Sequence, residues 1–398
     1  MTEALRLRSA AETARAWLFD HALPLWWSAG YDRASDCFHE RVGLDGSPAI
    51  SPRRVRVQAR QTIVYARAGQ LGWNGPWREA VETGTRILTQ RCIRPDGGTH
   101  HQLGPDGQPL DRRRDLYDLA FVVFALAEAG GALGRADLLA EAGRVSDWAH
   151  AAWSRPAGGF EEGEVTPTPP HRQNPHMHVF EALLALYQAS GESKQLDRAG
   201  AIATLFAEKL FDGRRGALPE YFDEDWRPRK GDEGEICEPG HQFEWSWLLQ
   251  RWNALGGGDL GEVAERLRLH GETYGVDAAC GAVHDETTLD GQARVRTSRL
   301  WPHTERLKAN VVRYERTGDL AACRAALQAF DVLMRYCDTP VRGLWRDRMQ
   351  PDGSFQEEPA PASSFYHIMI ALDELMRVAG GEDPAARRAS GHAARAQR

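Results

Sequence analysis

The sequence predicts an all-α protein, an (α/α)6 barrel of six helical hairpins closed by the N-terminal helix. Three observations carry this expectation. A short motif returns six times at a nearly constant interval. Between its copies the apolar spacing is helical, first nearly all round and then along one face. The chain ends supply one outer-type and one inner-type helix that the repeats leave unpaired.

The recurring motif is a small residue or glycine pair, an apolar or small residue, then polar residues. It reads Cys37-Phe38-His39-Glu40, Gly97-Gly98-Thr99-His100 and Gly158-Gly159-Phe160-Glu161 in the first half of the chain. It returns as Gly216-Ala217-Leu218-Pro219, Gly281-Ala282-Val283-His284 and Gly343-Leu344-Trp345-Arg346. With Phe38, Gly98, Gly159, Gly216, Gly281 and Gly343 as markers, the steps are 60, 61, 57, 65 and 62 residues. A period of this length marks stacked supersecondary units. Glycine at the marker suits a tight bend before an extended stretch.

The first element, over residues 4–27, reads as an outer-type helix. After Gly159 a loop leads to residues 178–187, apolar nearly all round, as a helix buried on most of its surface must be. Residues 196–211 then place apolar side chains three and four apart, an amphipathic helix with one wet face. Residues 243–255 and 260–270 repeat the pair, split by Gly256-Gly257-Gly258. Residues 366–378 form a last inner helix with no outer helix after it. One hairpin cannot cover its own apolar face, so neighbours must stack. End caps of the kind open solenoids need are not found. Pairing the last inner helix with the N-terminal one closes the ring. No alternating strand pattern competes. The barrel is expected to span residues 1–380 as one domain, with a polar, Ala/Arg-rich and disordered tail over 381–398.

Composition narrows the function classes. The formal net charge of −7 gives no basic footprint for nucleic acid. No apolar run approaches the roughly 20 residues that span a bilayer, and residues 1–8 lack a signal peptide's pattern. A cytoplasmic monomer or homodimer is expected, with neither nucleic acid nor membrane as partner. Six cysteines without a CxxC pair read as small buried apolar side chains in a reducing compartment. Most of the 13 tryptophans read as core filling, with aromatic lining of a sugar site as a lesser role.

Because each marker precedes an inner helix by about twenty residues, the inner-helix N-termini should meet at one end of the barrel, where loops converge on a concave site. In order, these positions read Arg53-Arg54-Val55-Arg56-Val57-Gln58-Ala59-Arg60, then Arg112-Arg113-Arg114-Asp115-Leu116-Tyr117-Asp118. The third and fourth read Asn174-Pro175-His176-Met177-His178-Val179-Phe180-Glu181 and Glu238-Pro239-Gly240-His241-Gln242-Phe243-Glu244. The last two read Arg299-Leu300-Trp301-Pro302-His303-Thr304-Glu305 and Ser363-Ser364-Phe365-Tyr366-His367. His178 with Glu181 and His241 with Glu244 share a spacing that puts both members on one helix face. A carboxylate beside an imidazole orients the ring and raises its basicity, which suits a general base. Such a pair is also a common cap or surface feature, and it is the second copy at the same repeat position that favours function. Arg60 starts a buried helix and needs a partner, with a substrate hydroxyl or Glu305 as candidates. Trp301 can stack on a sugar face or fill the core. The run 112–114 reads as a solvated loop, with phosphate binding as its alternative. His176, His178, His241 and His367 also offer a zinc set, although nothing in their spacing specifies it.

Together, Gln58-Ala59-Arg60, Asp115-Leu116-Tyr117-Asp118, Pro175-His176-Met177-His178-Val179-Phe180-Glu181, Gly240-His241-Gln242-Phe243-Glu244, Leu300-Trp301-Pro302-His303-Thr304-Glu305 and Phe365-Tyr366-His367 resemble the N-acylglucosamine 2-epimerase superfamily. That superfamily includes mannose isomerases, sulfoquinovose isomerase and cellobiose 2-epimerases, and the resemblance covers roughly residues 10–380. It implies an (α/α)6 barrel and proton transfer beside a sugar carbonyl, with no metal and no cofactor. It implies His241 and His367 as the acid/base pair, His178 in ring opening or binding, and Glu244 in support of His241. Arg60 would stabilise the enediolate, while Glu305, Trp301 and Tyr117 hold a monosaccharide; Asp118, His176 and Glu181 belong to the same motifs. The first marker departs from the family by carrying Asp36-Cys37-Phe38 where two glycines are usual. The Trp-Pro-His-Thr-Glu and Ser-Ser-Phe-Tyr-His segments are most similar to mannose isomerases, so interconversion of D-mannose and D-fructose is expected. The alternatives are a 2-epimerase or a mannose-6-phosphate isomerase. From other classes come a glycoside hydrolase built on carboxylate pairs, which leaves the histidines unexplained, and a sugar-binding protein without turnover.

Overall fold

The computed structural model describes residues 2–381. Thr2 accepts a hydrogen bond from the Leu5 amide and caps α1 (Glu3–Ala16). A wide π turn over Trp17–Ala22 leads into α2 (Leu23–Ser28), so one nearly continuous rod occupies the position expected for residues 4–27. Inner and outer helices then alternate. The inner helices are α3 (Val55–Gln70), α5 (Leu116–Leu133), α7 (Gln173–Ser190), α9 (Pro239–Ala254), α11 (Trp301–Thr317) and α13 (Ala362–Gly380). Between them run the outer helices α4 (Trp77–Ile87), α6 (Ala136–Trp153), α8 (Ser193–Leu205), α10 (Gly261–Tyr274) and α12 (Leu320–Tyr336).

The burial pattern explains which helix goes where. α5 is buried at nearly every position from Leu116 to Gly130. α12 buries Ala322, Cys323, Ala326, Leu327, Phe330 and Leu333, a single stripe three and four apart. Each inner helix packs on the next, α3 on α5 round to α13, and α13 packs back on α3. α1 lies on α12 and α13 and takes the outer place that the sixth repeat leaves empty. α5 is also long and apolar enough to cross a membrane, contrary to the expectation that no such run exists. Its window is 78% buried between α3 and α7, so a barrel core accounts for its composition.

The repeats share a backbone device at the marker. The residue with positive φ is Asp36, Gly97, Gly158, Gly216, Gly281 and Gly343 in turn. Asp36, at φ 54°, holds the left-handed conformation with a side chain, one of the few that tolerate it. The residue two further on is buried, and in four of the repeats it is fastened to the following inner helix. The Phe38 amide donates to Gln58 Oε1 while Gln58 Nε2 donates to the Phe38 carbonyl, both at 2.8 Å. Gln242 clips Leu218 in the same two-bond way at 2.9 and 3.0 Å. His176 and His303 do it with one bond each, accepting at Nε2 from the amides of Phe160 (3.0 Å) and Val283 (3.1 Å).

Two features depart from expectation. The loops carry antiparallel strand pairs two or three residues long, such as Arg53–Arg54 on Gln102–Leu103 and Ala360–Pro361 on Arg41–Val42. They are too short to leave an alternating pattern. Five cysteines are buried and unbridged, but Cys280 is exposed, on a loop rather than a packed helix face. Except for Gly381, the tail expected over 381–398 lies outside the described residues.

Candidate active site

One register of the inner helices builds the site. Arg54, Arg172 and Glu238 precede α3, α7 and α9, and Arg114, Arg299 and Pro361 hold the matching place before α5, α11 and α13. Six residues after them come Arg60, Ala120, His178, Glu244, Glu305 and His367. Four of these, Arg60, His178, Glu244 and His367, line a cavity of about 280 Å3 together with Tyr117, His241 and Trp301. A larger cavity, about 580 Å3, opens among the C-terminal ends of the inner helices, beside Arg67, Trp247 and Glu374, and has no histidine in its lining.

The two central histidines are held by different carboxylates. His241 Nδ1 lies 3.0 Å from both oxygens of Glu220, with Glu238 3.9 Å away. Burial works against a charge on this ring. Glu220 and Glu238 outweigh it and push the imidazole up to about 9. His367 Nδ1 lies 2.9 Å from Glu305, whose other oxygen is 2.6 Å from the buried ammonium of Lys308. Burial, with the positive charges of Arg60 and Lys308, holds His367 well below the usual imidazole value. Near neutral pH this pair is therefore one imidazolium and one neutral imidazole. Trp301 stands between them, its ring 5.0 Å from that of His241 and 5.7 Å from that of His367. Gly240 makes room for it: a Cβ there would come within 2.4 Å of the indole.

The remaining cavity groups form a polar floor. His178 Nδ1 is 3.1 Å from Glu181, which also accepts from Tyr366 Oη at 2.5 Å. Burial brings His178 down to about 4. Arg60 donates to Tyr117 Oη at 2.7 Å and to the Ser363 carbonyl at 3.1 Å, and its guanidinium lies 4.1 Å over the Phe121 ring. Burial, reinforced by the nearby Glu305, raises the Glu244 carboxyl well above its usual range, so it is a neutral acid.

The structure corrects several expected contacts. Arg60 bonds Tyr117 and Ser363 rather than Glu305, which is taken by His367 and Lys308. The carboxylate hydrogen-bonded to His241 is Glu220, on a loop, and Glu244 points to the acidic centre instead. His176 spends both ring nitrogens on backbone, Nε2 on Phe160 and Nδ1 on Arg172, so it fastens a loop and drops out of the zinc set. Asp118 lies off the cavity, 2.6 Å from His101 Nδ1 and 2.9 Å from Arg56 Nε. The run 112–114 lies outside the cavity as well, with Arg113 bound to Asp111 and Arg114 to Asp96 and Glu164.

Metal-ligand geometry exists in this region. One ligand atom each from Glu244, Glu305 and His367 lies within 4.8 Å of the others, and the same holds for His178, Glu181 and Glu244 and for Glu220, Glu238 and His241. Lys308 and Arg60 place fixed positive charge beside the first of these sets, which opposes a cation there.

Glu220 is the principal residue that sequence reasoning missed, and the repeat does mark it. Four residues after each positive-φ position stand Glu40, His101, Glu162, Glu220, Asp285 and Asp347. In three repeats this acid accepts from the backbone amide ahead of the inner helix and grips an arginine there: Glu40 holds Arg54, Glu162 holds Arg172, and Asp285 holds Arg299. In the fourth repeat Glu238 replaces the arginine, and Glu220 turns to His241.

A family model described as N-acylglucosamine 2-epimerase matches residues 37–371. A mannose-6-phosphate isomerase of Rhizobium meliloti (strain 1021) is 40% identical over 371 residues, covering 90% of this chain and 95% of the relative. A D-mannose isomerase of Thermobifida fusca is 28% identical, covering 87% of this chain and 90% of the relative. Among solved structures, the cellobiose 2-epimerase of Bacillus thermoamylovorans B4167 superposes with a TM-score of 0.84 at 20% identity, over 92% of this chain and 99% of that one, which establishes the shared fold.

Proposed function

The chain belongs to the N-acylglucosamine 2-epimerase family, and from that premise we propose that it is an aldose–ketose isomerase interconverting the mannose and fructose skeletons by proton transfer between side chains and sugar. The observation that carries this reading is the contrast between the surroundings of His241 and His367 across one small cavity: Glu220 and Glu238 draw a proton onto His241, whereas burial, Arg60 and Lys308 oppose one on His367. Two groups whose surroundings drive their proton affinities apart divide into acid and base.

The roles follow from the chemistry. With the sugar in its open-chain form, neutral His367 takes the proton from C2. The C2–H electron pair becomes the C1–C2 double bond, and the carbonyl pair moves onto the C1 oxygen. Arg60 faces that developing charge as a fixed donor, and the His241 imidazolium protonates the oxygen. Return of the carried proton from His367 to C1, with the C2 hydroxyl proton passing to the now neutral His241, gives the ketose and restores both histidines. Glu305 and Glu220 keep the two rings oriented. No step uses a metal or an organic cofactor. Both named isomerase relatives carry mannose in their names, which supports the mannose configuration. The 2-epimerase alternative uses the same first step and returns the proton to the opposite face of C2; a charged ring across Trp301 suits it as well.

Proton NMR of chelator-treated protein in D2O with D-mannose and with D-mannose 6-phosphate tests the reading. Formation of the corresponding fructose with deuterium incorporation is expected. The corresponding glucose would instead make the protein an epimerase. Retention of the C2 hydrogen in both sugars removes proton transfer altogether.

A further inference from the structure

The mouth of the cavity carries more positive charge than an uncharged sugar can use. Arg41, Arg54, Arg299 and Arg348 all line it, in addition to Arg60 on the floor. Arg54 and Arg299 are committed: Arg54 to Glu40, and Arg299 to Asp285 and Glu238. Arg41 and Arg348 are held less firmly. Arg41 donates to the Pro359 carbonyl at 3.1 Å, and both lean on one carboxylate, Glu358, at 3.5 and 3.6 Å, too far for strong hydrogen bonds. Their side chains are 39% and 55% exposed, whereas His241 and His367 below are 4% and 6% exposed. Glu358 Oε1 is buried without a hydrogen bond.

The repeat makes this corner unique. Arg41 and Arg348 occupy the same place, five residues after the positive-φ position, in the first and sixth repeats, which adjoin where the ring closes. The other four repeats have Gln102, Gly163, Tyr221 and Glu286 there. Arg41 pairs across the strand ladder with Pro361, the residue that caps α13. Ser363 and Ser364, in the first turn of that helix, line the same cavity. The Ala362 amide donates to the Glu40 carbonyl, and the Ser364 hydroxyl to Asp347, a carboxylate that also lines the cavity; the other amides of a first helical turn have no carbonyl partner within the helix and favour an anion. Two guanidinium groups and a helix start thus line the same cavity as the two histidines.

We infer that Arg41 and Arg348, with the start of α13, bind the phosphate of a sugar phosphomonoester whose carbonyl end reaches His241 and His367. This rests on the isomerase reading and names its substrate class. A phosphate dianion takes paired guanidinium donors far better than a hydroxyl does. It displaces Glu358, which bridges the two arginines until the substrate arrives.

The test compares kcat/KM for D-mannose 6-phosphate and D-mannose in the full chain, together with Arg41→Ala, Arg348→Ala and Glu358→Gln. The wild type should favour the phosphorylated sugar by at least about tenfold. Each arginine variant should cut that ratio about tenfold, and Glu358→Gln should tighten competitive inhibition by inorganic phosphate, which removal of a mere surface ion pair does not do. Equal use of the two sugars, or a ratio unmoved in the arginine variants, overturns the phosphate site and leaves the isomerase reading standing. If neither sugar exchanges its C2 hydrogen, the isomerase reading fails on its own. Calorimetry with inorganic phosphate then decides the site: binding lost in Arg41→Ala and Arg348→Ala supports it, and binding that is absent or unchanged refutes it.

Discussion

Lys308 Nζ and Glu305 Oε2 stand 2.6 Å apart, and both side chains are wholly shielded from solvent. The other Glu305 oxygen faces His367 Nδ1 at 2.9 Å. The ammonium also lies 3.8 Å over the Trp247 ring, so it is held from two sides. A buried carboxylate without its cation takes up a proton, and a protonated Glu305 no longer orients a neutral imidazole as its base.

Lys308→Met should therefore damage both stability and chemistry. Breaking a buried pair by removing one member costs roughly 3–5 kcal/mol. Urea unfolding should show a loss of that order. At permissive temperature kcat should fall more than tenfold, because the base has lost its support. A variant that unfolds like the wild type and keeps its kcat would show that Glu305 does not depend on Lys308.

The pH profile should have widely separated limbs. His367 must be neutral, so the acidic limb lies below the ordinary imidazole value of about 6.5. His241 must be charged, so the basic limb lies at about 9. Glu220→Gln removes the nearest charge and should draw the basic limb down toward neutrality while the acidic limb stays in place. Stability carries the same signature. A folded value above the unfolded one gives a contribution that is full below about pH 6.5 and lost as pH rises through about 9. The stability deficit of Glu220→Gln should accordingly be largest in acid and shrink toward pH 9. A basic limb unmoved in the variant would take His241 out of the acid role.

Glu244 gives the opposite kind of test. Its carboxyl is neutral because burial and Glu305 make charge expensive there. Glutamine resembles the neutral acid in shape and charge, so Glu244→Gln should fold and keep kcat/KM within several-fold. The raised folded value means that the wild type loses stability as pH rises above the ordinary carboxyl range, whereas the amide does not. The variant should gain on the wild type between pH 5 and pH 8 in urea unfolding. A variant that is inactive, or that loses ground with rising pH, would mean that Glu244 works as a carboxylate.

Much of this was legible because the barrel repeats. The marker period located six loops, and alternating burial separated inner from outer helices. Helix starts were read too late: α7 begins at Gln173 rather than 178, and α9 at Pro239 rather than 243. Pro175 and Pro239 lie ahead of the helix starts that the apolar spacing gives, yet a first turn has no internal amide bond for proline to break. Asp36 hid its equivalence to glycine because a backbone angle, not a side chain, is what the six markers share. Glu220 leaves no i, i+3 signal, because His241 is served from a loop 21 residues upstream rather than from its own helix face. The rim arginines Arg41 and Arg348 lie 307 residues apart in sequence, and only closure of the ring brings both to one cavity.

The loop clips permit a test in which stability and catalysis separate. Gln58→Leu leaves the Phe38 amide and carbonyl unpaired, and Gln242→Leu does the same to Leu218. Each buried orphan costs about 1–3 kcal/mol, so each variant should lose roughly 2–5 kcal/mol in urea unfolding. Their activities should differ. The Leu218 loop carries Glu220 two residues on, and its displacement frees His241. The Phe38 loop carries Glu40, which holds the rim residue Arg54 and, through its carbonyl, the Ala362 amide, and neither contact touches His241. Under conditions where both variants remain folded, kcat should fall sharply in Gln242→Leu and little in Gln58→Leu. Gln242→His should recover part of the stability and part of kcat, because His176 and His303 show that an imidazole at this register accepts the same loop amide. Equal kcat in the two leucine variants would mean that the loop does not position His241.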